Sequence, residues 1–228
     1  MGFEFKTIAK AHTDFSEKFG LPRQSGLVPE LKGRIVFEPE FRHPDSVKGL
    51  EVFSHIWLIW EFSKSVHDGS WSATVKPPRL GGNVHKGVFA TRSPHRPNPI
   101  GLSCVRLEKI EFDEKLGPVL YVSGLDLLDG SPILDIKPYH VAADSHPEAT
   151  LGFTESVKDY KLTVDFPENL LNVLPEDKRD AAVGVLAEDP RVPSHKEADY
   201  VHKMLFAGYD IHFKVDGKHL TVIDCFKV

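Results

Sequence analysis

The chain has 228 residues, 41% of them hydrophobic, a net charge of -5 and only two cysteines, Cys104 and Cys225. That length and apolar share suffice for a real core in one large or two small domains. The widely separated cysteines argue against a disulfide framework or thiolate metal site, and no run approaches the roughly eighteen apolar residues of a membrane span.

In chain order, the start Met1-Gly2-Phe3-Glu4-Phe5-Lys6 has no signal-peptide pattern. With the cysteine usage this points to a soluble, cytoplasmic protein. Short β-prone runs follow at Arg34 to Phe37, Val52 to Phe62, Gly87 to Thr91, Leu102 to Phe112, Val119 to Leu125 and Ile133 to Lys137. Turn residues separate them, so the spacing predicts an all-β barrel or sandwich. No GxGxxG follows a strand, which leaves a dinucleotide-type sheet unsupported. Val141 to Ser156 is polar and reads as a connector.

The texture then changes. Lys161 to Phe166 reads as a strand, Pro167 to Leu174 and Glu176 to Ala187 as helices, and Tyr209 to Val215 with Leu220 to Phe226 as a hairpin turned at Asp216-Gly217. The expectation is therefore a mainly β chain, with a β domain over 1–145 and a small α+β domain over 146–228.

Two blocks carry chemistry. In Thr91-Arg92-Ser93-Pro94-His95-Arg96-Pro97-Asn98-Pro99-Ile100-Gly101, three prolines fix their own φ and push Ser93, Arg96 and Asn98 toward extended geometry. A loop that is stiff before binding loses little entropy on binding. The second block, Asp126-Leu127-Leu128-Asp129-Gly130-Ser131-Pro132-Ile133-Leu134-Asp135-Ile136-Lys137-Pro138-Tyr139, wraps carboxylates and a lysine around an Asp-Gly turn. Asp126 and Asp129 either cap that turn through local Asx-type bonds or serve a site. Asp135 and Lys137 share a strand face and need a partner or a wet cleft.

The histidines include no HxxxH or HxH pair, and His55 reads as a hydrogen-bonded core residue. Lys76, Arg79, Lys86, Arg92, Arg96 and Lys137 in or beside the blocks form a candidate phosphate-binding patch on an acidic body.

Gly87 to Ser103 followed by Asp126 to Tyr139 resembles the TrmO family, also called YaeB-like or TsaA-like. Pro22-Arg23-Gln24 with Gly26, Phe53-Ser54-His55 with Trp57, Val75 to Asn83, and Val185-Leu186-Ala187-Glu188-Asp189-Pro190-Arg191 extend the resemblance over nearly the whole chain. It implies a non-Rossmann β-barrel that binds S-adenosylmethionine near a homodimer interface. It also implies methyl transfer to N6 of threonylcarbamoyladenosine at position 37, in the anticodon loop of a threonine-accepting tRNA; independently, the histidine and cysteine spacing gives the expectation of no metal.

Carried over residue by residue, the resemblance places cofactor contacts at Gln24, Ser25 and Gly26, at Ser63 and Lys64, at Arg92 and Leu102, and on the turn Asp129, Gly130, Ser131 and Pro132. Ser25 stands where a relative has proline, and Ser63-Lys64 replaces a His-Gln pair. Lys48 stands where arginine is common, and Ile8 to Thr13 departs from the usual glycine and serine. Asp135 is the expected proton acceptor, with Lys137, Tyr139 or Asn98 holding the carbamoyl oxygen.

Two other readings stand beside it. One is a non-catalytic RNA or phosphate binder that clamps through Arg92 to Asn98, with no cofactor affinity. The other is a metal hydrolase using Asp126, Asp129 and His95, which predicts chelator sensitivity.

Overall fold

The computed structural model describes residues 4–65, 71–77, 80, 83–191 and 197–228. Arg79, His67 and His195 lie outside them. In chain order the elements are β1 (Ala9–His12), β2 (Lys32–Phe37), β3 (His55–Glu61), β4 (Thr74–Val75), β5 (Lys86–Gly87), β6 (Ile100–Asp113), β7 (Gly117–Ser123) and β8 (Pro132–Pro138). After them come α1 (Val141–Asp144), β9 (Thr163–Asp165), α2 (Glu168–Leu171), α3 (Glu176–Ala187), β10 (His202–Phe206), β11 (Tyr209–Asp216) and β12 (His219–Lys227).

Six of these strands close into a barrel in the order β1-β2-β7-β6-β3-β8. Each neighbouring pair is antiparallel, and β8 returns to β1 through Ala9 opposite Ile133. Alternation drives the closure: in β3, His55, Trp57 and Ile59 are half-buried while Ile56, Leu58 and Trp60 are buried. Ile56, Leu58 and Trp60 meet Ile35, Val105, Leu120, Val122 and Ile133 in the barrel core. Each such side chain contributes about 1.5–3 kcal/mol by leaving water.

Gly101 faces Trp60 in the β3–β6 register, and a Cβ there would collide with the indole ring. Overpacking of this kind costs about 1–3 kcal/mol. Gly101→Ala is expected to lower the urea midpoint accordingly with an unchanged m-value; an unaltered midpoint would mean that Trp60 moves aside freely.

Strands β9 to β12 form a second sheet in the order β10-β11-β12-β9, in which β9 runs parallel to β12, and β4 pairs with β5 in a separate two-stranded ribbon. The β11–β12 hairpin turns at Gly217-Lys218, one residue later than the expected Asp216-Gly217, because Asp216 still pairs with His219; Gly217 has φ 56. A second core gathers Leu174, Ala181, Ala182, Val185 and Leu186 of the helical stretch against Met204, Phe206, Ile211, Phe213 and Leu220 of the sheet. Phe15, Val28, Leu31 and Leu128 belong to this core although they precede residue 145. The segment 13–31 is thus clamped to the C-terminal sheet. Lys178 pairs with Asp14 at 2.7 Å, the rings of Phe19 and His202 stack, and Gly20 lies so close to Met204 that a Cβ would not fit.

Several expectations need correction. Gly87 to Thr91 is not a strand: β5 ends at Gly87 and Val88–Ala90 is a single 3-10 turn, closed where Thr91 donates from both N–H and Oγ1 to the Val88 carbonyl. Leu50–Val52 is likewise a 3-10 turn, so β3 begins only at His55. The connector after β8 contains α1 and a 3-10 stretch at Gly152–Val157. The polar-looking β10 escaped the sequence reading because its pattern, His-Lys-Met-Leu-Phe, has no β-branched residue. His55 is not a core histidine; it is half-buried, bonded to Ser54 Oγ at 2.9 Å and edge-on to Tyr139.

Candidate active site

The two motif blocks and the Gln24 turn converge on one rim of the barrel, where β3 ends and β6 and β8 begin. The register fixes this: Glu61 lies opposite Ile100, Trp60 opposite both Gly101 and Ile133, and the Phe62 N–H donates to the Pro99 carbonyl at 2.9 Å. Asn98 and Pro99 therefore sit beside Phe62 and Ser63. Lys64 is anchored to the N-terminal segment, donating to the Ser16 carbonyl at 3.1 Å, while Lys18 donates to the Lys64 carbonyl at 2.8 Å.

The Asp129 turn leads into β8 at the same rim. Gly130 has φ 77, a conformation that glycine adopts without penalty, and its N–H donates to the Ala11 carbonyl. Asp129 is half-exposed and accepts the Thr13 N–H at 3.1 Å, with His12 Nδ1 at 3.6 Å. It braces a neighbouring segment, so the local Asx alternative does not hold for it.

The proline-rich loop is held from within. Arg96 Nη1 donates to the Thr91 carbonyl at 3.1 Å, and the Arg96 N–H to the Pro94 carbonyl at 2.9 Å. Arg96 is thus committed to the loop's shape. Arg92 points elsewhere and donates to Gln24 Oε1 at 2.5 Å, joining the loop to the Gln24 turn.

That turn is pinned to the barrel edge. The Ser25 hydroxyl accepts the Cys104 N–H at 3.1 Å, and the Gly26 N–H donates to the Gly124 carbonyl at 2.9 Å. Ser25 thereby completes a ladder position of β6 that β7, which joins β6 only from Arg106, leaves open.

Behind the turn lies a short polar chain. Trp60 Nε1–H donates to Ser103 Oγ at 2.9 Å, and the Ser103 hydroxyl donates to Asp126 Oδ1 at 2.6 Å. Burial pushes the Asp126 carboxyl up to about 6, against the Ser103 hydrogen bond, its own backbone amide, the charge of Arg92 and the Ser25 amide. Ser103 is completely buried.

From the rim a half-exposed outer face runs along β6, β3 and β8. Leu102, Ile59 and Asp135 form one lateral row, and Cys104, Trp57 and Lys137 the next. Asp135 and Lys137 pair at 2.9 Å, and Asp135 also accepts the Ile136 N–H. Farther along, Tyr139 packs against Trp57, whose indole N–H donates to Asp144 at 3.0 Å. Burial and the charge of Asp144 raise the Cys104 thiol above its usual value. Asn98 and Tyr139 lie at opposite ends of this face, since Tyr139 is seven residues beyond the rim position Pro132, about 23 Å along a strand.

A family model for the N-terminal domain of tRNA-methyltransferase O matches residues 10–145. The chain belongs to the TrmO family. It is 39% identical to the tRNA (adenine(37)-N6)-methyltransferase of Escherichia coli K12, over 88% of this chain and 87% of that protein. A Pyrococcus abyssi protein named "Probable S-adenosyl-L-methionine-binding protein" is 37% identical over 66% of this chain and 76% of its own. A crystal structure of TrmO from P. aeruginosa superimposes with a TM-score of 0.80 at 32% identity, covering all of this chain and 98% of that one.

Within this TrmO-family fold, the expected cofactor residues from Gln24 to Gly26, Ser63, Lys64, Arg92, and Asp129 to Pro132 share the rim, and Leu102 is half-exposed beside it. Asp135 lies two strands from Leu102 and carries Lys137 with it. Ser103 and Trp60 are functional positions that the motifs do not mark, and the motifs alone do not separate a local cap from a site role for Asp126. One signal was present: in Leu102-Ser103-Cys104-Val105, the alternation puts a lone hydroxyl at a core position, which needs a buried partner. Among the described residues no cluster of three or more His, Cys, Asp or Glu could hold a metal, and no helix is long and apolar enough to cross a membrane.

Proposed function

We propose that this protein transfers a methyl group from S-adenosylmethionine to N6 of threonylcarbamoyladenosine at position 37 of a threonine-accepting tRNA. The observation that carries this reading is the match to the TrmO family over 10–145, combined with the gathering of its motif blocks on one barrel rim. The residues present suit the cofactor. Half-exposed Leu102 offers an apolar contact, Asp129 a carboxylate for an ammonium or ribose hydroxyls, and Arg92, Lys64 and Gln24 charge and hydrogen bonds.

When bound, the cofactor supplies an electrophilic methyl on its sulfonium. The chain's own part is mainly orientation and exclusion of water, since in-line transfer depends on alignment more than on acid-base power. Asp135, on the outer face in the same lateral row as Leu102 but across β3 from it, takes the proton that the acceptor nitrogen gives up. Lys137 steadies that carboxylate and faces the carbamoyl oxygen, with Tyr139 or Asn98 as further donors. Because Asn98 and Tyr139 are far apart along the face, one of them serves this acceptor and the other a different part of the RNA.

The proposal includes residues 1–145 and 146–228 as working domains, the second bracing segment 13–31 and with it the Gln24 turn. It also includes a cytoplasmic location and a homodimer. Exposed Trp71 and Phe89, whose rings lie 6.2 Å apart just ahead of Arg92, would suit a partner subunit.

The test supplies labelled S-adenosylmethionine with tRNA bearing threonylcarbamoyladenosine, beside the same tRNA without that group. Label at nucleotide 37 of the modified tRNA alone is the expected result. Cofactor binding without transfer would point to a different acceptor. Absence of cofactor binding would favour the RNA-binding module.

A further inference from the structure

Asp126 belongs to neither the expected cofactor contacts nor the outer face, yet four site segments meet at it. Ser103 of β6 donates to its carboxylate at 2.6 Å and in turn accepts from Trp60 of β3. The Ser25 amide and the Arg92 charge face it from the Gln24 turn and the proline-rich loop. Asp126 itself follows Gly124, whose carbonyl receives the Gly26 N–H, and precedes the Asp129 turn.

Its neighbours Leu125, Leu127 and Leu128 are all buried, so the carboxylate is delivered to this place by packing on both sides. A carboxylate in such surroundings is costly, and a fold selected for stability alone would place an amide or an apolar side chain here.

We propose that Asp126 is a positioning residue, which as a carboxylate locks the Gln24–Gly26 turn and Arg92 against the start of β6 in the arrangement that receives the cofactor. The proposal rests on the cofactor reading above but has a readout independent of it. Arg92, in turn, holds Gln24, so losing the negative charge loosens Arg92 directly and Gln24 only through it.

The pH dependence follows in sign. Burial chiefly raises this carboxyl, to about 6 from the ordinary 3.8. A group raised on folding favours the folded state fully below its unfolded value, and that advantage is lost as pH climbs through the folded value. Between about pH 4 and 6 the wild type therefore loses stability relative to Asp126→Asn while it gains the lock.

The experiment compares wild type with Asp126→Asn by thermal melting, amide hydrogen exchange and S-adenosylmethionine titration at several pH values. At pH 8 the variant is expected to be at least as stable as wild type. Its Cys104 and Gly26 amides should exchange about tenfold faster, and its Kd for the cofactor should rise about tenfold, the size of one charged hydrogen bond. In wild type, protection of those two amides should fall as pH drops through 6; the variant should show no such step.

Unchanged exchange and affinity in the variant at pH 8 would overturn the proposal. A wild type that binds no cofactor would overturn the functional reading, while the exchange data would still decide the positioning role. Should Asp126→Asn not fold, Ser103→Ala serves instead. It removes a hydrogen bond that favours the carboxylate, so the protection step should move to higher pH, and an unmoved step would overturn the proposal.

Discussion

Replacing Arg92 with alanine is expected to lower kcat/KM for methyl transfer by roughly 30- to 150-fold, the equivalent of about 2–3 kcal/mol for a charged hydrogen bond at a binding site. The guanidinium is exposed, so its removal should leave the melting temperature nearly unchanged. Its Gln24 partner loses the 2.5 Å bond, and Asp126 loses its facing cation. Steady-state kinetics with labelled S-adenosylmethionine should show the loss chiefly as a raised KM for the cofactor. Arg92→Lys keeps the charge but loses the fork, so it should recover only part of the activity. Full activity in Arg92→Ala would remove the proline-rich loop from the cofactor site.

The second large effect concerns stability and lies far from the rim. Arg191 donates to Asp189 through Nε at 2.8 Å and Nη2 at 3.0 Å, and Tyr160 adds its hydroxyl at 2.9 Å. The Arg191 side chain is only 7% exposed and that of Asp189 13%. Asp189 also holds φ 53, a left-handed conformation that disfavours most side chains. The Asp189-Pro190-Arg191 motif therefore pairs its two charges with each other.

Removing one member of a buried pair strands the other, at a cost of about 3–5 kcal/mol. Arg191→Leu is expected to lower the melting temperature by roughly 6–20 °C for a chain of this size. Asp189→Asn/Arg191→Leu should regain part of the loss, because no uncompensated charge remains. A shift of only a degree or two in Arg191→Leu would show that water satisfies Asp189 instead.

The clamp also has a sign in pH. Burial alone would raise the Asp189 carboxyl, but the Arg191 and Tyr160 hydrogen bonds and the Arg191 charge outweigh it and hold it below the usual 3.8. Its contribution is thus fully present above that ordinary value and disappears as pH falls through the lowered one. Acid melts should show Arg191→Leu converging on wild type only in that strongly acidic range. This contrasts with Asp126, whose raised carboxyl acts between about pH 4 and 6.

Much of the barrel was legible because alternation is a local property. In β3 and the first half of β6 a period of two identifies strand and inward face from the chain alone, while β7 and β8 were readable as strands from their apolar and β-branched content but not as to face. Glu176–Ala187 was readable as a helix, with Pro175 before it and acidic residues in its first turn. The failures have physical causes too. Val88-Phe89-Ala90 is apolar yet forms a 3-10 turn, because Thr91 closes it onto Val88 and Phe89 remains exposed. His55 sits among apolar residues yet lies on the outward phase of β3, where only the register reveals its exposure.

By itself the sequence determined the β alternation, the stiff proline loop, the Asp-Gly turn and, through residue identity, the family. Only the tertiary structure decided that Gln24 meets Arg92 across 68 residues, that Ser25 completes the ladder of β6, and that the Ser103 hydroxyl donates a hydrogen bond to Asp126. It also decided that the C-terminal core holds Phe15, Val28 and Leu31, and so braces the turn from outside the barrel. The reason is the same in each case. Periodicity and turn chemistry act over a few neighbouring residues and can be read locally, whereas these contacts depend on barrel closure and strand register, which bring distant positions together only after the whole sheet has formed.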